Sequence, residues 1–159
     1  MINVGILGLG KEGIIRMEYL LQNWERDIGK LYLYDDRRSF ESIEINKDVK
    51  NEKIKWEEDI NIIFDREEID LLIITTALYK RAKYIIRGLE KGKDIYALAP
   101  ICIEDDELNT ICTLAIDNNL LLFVSFRHIY DTKISRLKNA IDLNIMGKLR
   151  WININSMDN

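Results

Sequence analysis

Short runs that are apolar almost throughout alternate along this chain with segments whose apolar side chains return every three or four residues, and few folds accommodate that alternation. The runs are Asn3 to Leu7, Lys30 to Tyr34, Ile54 to Trp56, Asp70 to Thr75, Asp94 to Ala97 and Leu120 to Ser125. A strand without a polar face needs cover on both sides, and intervening helices are the crossovers that parallel pairing requires. The expected class is α/β, a doubly wound parallel (Rossmann) sheet with helices on both faces. A length of 159 residues suits one such core and leaves no room for a second complete domain.

The intervening helices carry their own signatures. Ile14, Met17, Leu21, Trp24 and Ile28 fall on one helical face, with Gly29 as the expected C-terminal cap. Leu78, Ala82, Ile85 and Leu89 repeat the pattern before Gly92. A further face carries Leu108, Ile111, Cys112 and Ala115, and another carries Ile134, Leu137 and Ile141 before Gly147. The closing "LRWININ", Leu149 to Asn155, mixes Trp151, Ile152 and Ile154 with polar residues and reads as a strand leaving the main sheet. Residues 1–148 are thus expected to form the Rossmann domain, and 149–159 the start of a C-terminal domain that is otherwise absent. Trp24, Trp56 and Trp151 read as packing residues, and an unpaired apolar edge at Trp151 predicts a homo-oligomer.

Charge and composition exclude several classes. The 23 basic and 27 acidic residues give a net charge of -4, and neither sign forms a run suited to nucleic acid or a membrane surface. No apolar run approaches the roughly 20 residues of a membrane span, and no leader opens the chain. Cys102 and Cys112 read as core thiols in a reducing, cytoplasmic setting. His128 is the sole histidine, so a His-based metal centre lacks ligands and no metal is expected.

The most specific motif is "GILGLGKEG", residues 5 to 13, an apolar strand entering glycines at G-x-G-x-x-G spacing. In a strand-turn-helix unit Gly8 permits the tight turn, Gly10 lets a pyrophosphate approach the backbone, and Gly13 lets the helix pack closely on the strand. The amides of Leu9, Lys11 and Glu12 around the helix start would then face the phosphates. The next strand ends at Asp35, 22 residues beyond Gly13, where a carboxylate can accept hydrogen bonds from a ribose diol. That favours NAD, although Arg37 and Arg38 just past it could pair with the 2′-phosphate of NADP. Lys11 does not make a Walker loop, because the G-K-[ST] order is missing.

Four landmarks follow in order: "GILGLGKEG", "EEIDLLIITTA" (67 to 77), "GLEKGKDIYALAP" (88 to 100) and "VSFRHIYD" (124 to 131), the last followed by "AIDLNIMGKLRWI". Together they resemble the N-terminal half of the glucose-fructose oxidoreductase and inositol dehydrogenase family, Gfo/Idh/MocA, over essentially the whole chain. The resemblance implies NAD or NADP on the glycine loop and Asp35, with a Thr-Pro-Asn turn beside the nicotinamide ribose. Here that turn follows Thr75 and reads Thr76, Ala77, Leu78, and a histidine that usually follows is replaced by Arg81. The family's Glu-Lys-Pro signature, whose lysine is implicated in proton relay, falls on Leu98, Ala99, Pro100. Arg127, in "SFR", resembles the family's Gly-Tyr-Arg stretch and reads either as a cofactor contact or as an ion pair.

Oxidising a sugar or polyol hydroxyl requires a group to take its proton, a role worth about 10² to 10⁴ in rate. Alanine at 99 cannot take it, Tyr96 lies within a strand, and Glu104 to Asp106 start the next helix, where carboxylates suit the dipole. No catalytic residue is therefore assigned, and His128 reads as a hydrogen-bonding residue. The resemblance implies a dehydrogenase-type NAD(P)-binding domain without autonomous activity, one that would act on a sugar or polyol only with a partner chain. The alternative is a non-catalytic nucleotide-binding or regulatory protein. An S-adenosylmethionine methyltransferase, which uses a similar glycine loop, is disfavoured by the later landmarks.

Overall fold

The computed structural model describes residues 1–43, 52–126, 129 and 131–153. Six strands, β1 (Ile2–Leu7), β2 (Ile28–Tyr34), β3 (Ile54–Trp56), β4 (Leu71–Ile74), β5 (Asp94–Leu98) and β6 (Leu122–Ser125), form one parallel sheet in the order β3-β2-β1-β4-β5-β6. The helices are α1 (Lys11–Asn23), α2 (Ile60–Asp65), α3 (Leu78–Glu90), α4 (Asp105–Asp117) and α5 (Thr132–Asp142), with a 3-10 turn at Phe40–Ser42. Contacts divide the chain into two compact units, Met1–Ser125 and Phe126–Asn159, and the whole sheet lies in the first.

Both faces of that sheet are covered, as strands this apolar require. Adjacent residues of one strand enter different clusters. Leu7, Leu72 and Ile74 pack with Phe64, Ile85, Leu89 and Ile111, while Ile6 and Ile73 pack with Met17, Leu21, Leu31 and Leu33. Each such side chain withdrawn from water contributes about 1.5–3 kcal/mol. Register aligns the strand ends: Leu7 is opposite Tyr34 and Ile74, and Ile74 is opposite Ala97. The turns that follow these strands therefore gather along one edge. The chain runs outward from β1 through β2 to β3 and resumes on the other flank at β4, so the order reverses over β1.

Four expectations need correction. The first helix stops at Asn23, and Ile28 and Gly29 belong to β2. Gly29 is no cap; a Cβ there would lie 2.4 Å from Asn3 Oδ1, which accepts the Lys30 amide at 2.8 Å, so glycine admits that cross-strand bond. Trp24 is half exposed rather than packed, because the helix has ended before it. Cys112 is exposed and Cys102 only half-buried, both free, so neither is a thiol of the core interior. Across 149–153 the chain takes no regular structure, so the strand read over Leu149 to Asn155 is absent there, and its last two residues lie outside the described ones.

Candidate functional site

The three glycines of the first turn have three separate physical reasons. Gly8 has φ +93°, and a side chain there would meet the backbone of Thr75 and Thr76 at 2.9–3.0 Å. Gly13 sits so close to the strand end that a Cβ would lie 2.0 Å from the Gly8 carbonyl oxygen. At Gly10 a Cβ would meet nothing within 4 Å, so that backbone faces open space. Gly10, the N-cap of α1, has no side chain with which to cap it, and the first bond from within the helix is Ile14 N–H to the Gly10 carbonyl, 3.0 Å. The helix start thus offers amide donors beside an open stretch of backbone.

Asp35, the first residue after β2, holds this loop from the side. One carboxylate oxygen accepts the Leu9 amide at 2.6 Å and the other the Arg37 amide at 2.8 Å, while Arg38 donates to the Leu9 carbonyl at 3.1 Å. Leu9 is consequently engaged at both main-chain groups, and its side chain is fully buried. Its amide is not free to face a ligand, which corrects the expectation for that residue. Glu12 pairs with Arg16 at 2.6 Å along α1, and Lys11 is exposed.

The opposite wall follows β4. Thr75 donates its hydroxyl to the Gly8 carbonyl at 2.5 Å and its amide to Leu7 at 2.9 Å, tying the two turns together. Thr76 is buried with its hydroxyl unpartnered among the described residues, and Ala77 opens α3. A crevice between these walls is lined by Gly8, Gly10, Asp35, Arg37, Thr76 and Ala77 among others. Arg38, read with Arg37 as a partner for a 2′-phosphate, also lines it, and structure adds Asp36, Tyr79 and Lys80 to the predicted set. Asp36 and Lys80 form an ion pair across the mouth, and the Lys80 hydrogen bond holds the Asp36 carboxyl below its ordinary range. Arg37 donates to the Tyr79 hydroxyl at 3.0 Å. Tyr79 and Lys80 lie more than 40 residues from their partners, and an exposed aromatic in the first turn of a helix after a buried strand was the only local signal.

At the nicotinamide end implied by the resemblance, Arg81 is buried and donates to the carbonyls of Thr76 (2.6 Å), Leu98 (3.0 Å) and Pro100 (2.5 Å). Tyr96 accepts a bond from Arg16 at 3.3 Å and stacks on Phe123 at 5.3 Å. Glu104 and Glu107 form a capping box at the start of α4, the role read for the acidic run. Arg127 and His128 lie outside the described residues.

No protein-family model matches the chain. It is 21% identical over 155 residues to the myo-inositol 2-dehydrogenase of Thermotoga maritima, covering 98% of this chain and 45% of that relative. It is 24% identical over 147 residues to the scyllo-inositol 2-dehydrogenase (NAD(+)) of Bacillus subtilis, covering 92% of this chain and 42% of the relative. Among solved structures it superimposes on biliverdin reductase from Synechocystis, in complex with biliverdin and NADP+, with a TM-score of 0.70 at 21% identity over 91% of this chain and 43% of that one. The relatives are inositol dehydrogenases, the family that the motifs resemble, and the fold is that of oxidoreductases. The chain spans less than half the length of those relatives.

Proposed function

We propose, from this likeness to the Gfo/Idh/MocA oxidoreductases, that the crevice over β1 binds NAD or NADP as the dinucleotide half of a dehydrogenase. The observation that carries this reading is the open backbone at Gly10 facing an uncapped helix start, with Asp35 beside it. The amides of the first turn of α1 would hold the pyrophosphate, Gly8, Gly10 and Gly13 would shape its seat, and Asp35 would accept the adenosine ribose hydroxyls through the lone pairs its two amide bonds leave free. Thr75, Thr76 and Ala77 would wall the nicotinamide side. Bound nicotinamide supplies hydride transfer. NAD is favoured by Asp35, while Arg37 and Arg38 at the same lip give a 2′-phosphate two cationic partners.

The relatives' names suggest a polyol substrate. The turn at Leu98 to Pro100, however, carries alanine where a proton acceptor would stand, and Arg81 occupies its carbonyls. We therefore propose that these residues bind the dinucleotide without oxidising a polyol unaided. A purely nucleotide-binding or regulatory role is the second reading, supported by the same turn.

Titration with NADH and NADPH, followed by nicotinamide fluorescence, tests the proposal. The wild-type chain is expected to bind at least one of them, and Gly10→Val and Asp35→Ala to weaken it at least about tenfold with the fold intact by circular dichroism. A wild-type chain that binds neither overturns the reading. Turnover with a panel of inositols and sugars would overturn the claim of inactivity.

A further inference from the structure

Arg81 is 7% exposed, and among the described residues no carboxylate answers its charge. Its two terminal nitrogens are spent on three main-chain carbonyls, and its Nε has no partner among the described residues. A guanidinium keeps its proton under such conditions, although burial works against the charge and pulls its pKa down. A fixed positive charge therefore remains in the interior, where solvent and salt screen it little.

Its place in the fold gives that charge a target. The three carbonyls belong to the turn after β4, the end of β5 and the turn that follows. They stand on the flank of the strand-order reversal opposite Asp35, which follows β2. A dinucleotide laid across that reversal with its adenosine ribose at Asp35 extends its other half toward this flank. The oxidised nicotinamide ring carries one positive charge, and the reduced ring none.

We propose that Arg81 makes the crevice selective for the reduced dinucleotide, repelling the cationic oxidised ring and leaving the neutral reduced ring unopposed. This rests on the dinucleotide reading above. A role confined to clamping the two turns would alter the affinity for both redox forms alike, whereas a charge effect changes their ratio.

The experiment measures Kd for NADH, NAD+ and AMP on the wild-type chain and on Arg81→Met, Arg81→Gln and Arg81→Lys. The wild type is expected to bind NADH about tenfold more tightly than NAD+, the scale of one poorly screened unit charge. Arg81→Met and Arg81→Gln are expected to bring that ratio close to one while AMP affinity holds, and Arg81→Lys to restore most of it. A wild-type ratio of one or below overturns the proposal even if every variant fails to fold. So does an unchanged ratio in an AMP-binding Arg81→Met or Arg81→Gln. Failure of the wild type to bind either form removes the dinucleotide reading itself, a result distinct from equal binding of both.

Discussion

Gly10 and Gly13 stand three positions apart in one loop, yet a methyl group at the first would enter open space and at the second would strike the Gly8 carbonyl at 2.0 Å. The two substitutions should therefore separate ligand affinity from stability. Gly13→Ala is expected to lower the stability of the chain by about 3 kcal/mol in urea denaturation, since the obstacle is backbone and cannot rotate away. A loss below 0.5 kcal/mol would mean that the helix can ride off the strand at little cost. Asp36 makes a second residue-scale case. Its pairing with Lys80 holds its folded pKa low, so its contribution is complete above the unfolded value of about 4 and is lost as the pH falls through the folded value. The melting temperature of wild type should exceed that of Asp36→Asn at pH 7 in low salt, and the gap should close toward pH 2. A gap that stayed constant with pH would exclude the ion pair as its cause.

At the scale of elements, α3 and α5 are similar in length and opposite in burial. Helix α3 buries Ala82, Ile85, Gly88 and Leu89 against the sheet, whereas no residue of α5 is buried, and its Ile134 and Leu137 remain more than a third exposed. Most helix stability in proteins comes from packing rather than from propensity. Amides of α5 are accordingly expected to exchange with deuterium at least about 100-fold faster than those of α3. Equal protection would show that α5 is covered in solution. The sequence presented both helices with the same period of apolar residues, so periodicity found them and could not rank them. Boundaries were the weaker part of the reading: Trp24 and Ile28 continue the apolar face of α1 by spacing, but the Ile28 pairing with Ile2 draws them out of the helix. Helix α2, six residues long and capped by Asp59, is too short for periodicity to register.

For the molecule as a whole, sheet order and site were legible to different depths. Strands apolar on both faces, separated by helix-length segments, admit little besides a parallel sheet covered on two sides, so the class followed from local pattern alone. The glycine loop and Asp35 were legible for a similar reason, because their constraints are set within one strand-turn-helix unit and the strand beside it. The pairing of Lys80 with Asp36, the Arg37 bond to Tyr79 and the burial of Arg81 between two turns were decided only by folding. Each joins groups that the reversal of strand order brings together from distant parts of the chain, and no local spacing encodes which flank of β1 a segment will occupy. The sequence by itself therefore determined that an open glycine turn would form at the end of β1. Tertiary structure decided the charges around it, because an ionic partner is chosen by distance in space and by exclusion of water, quantities that exist only after the sheet has assembled.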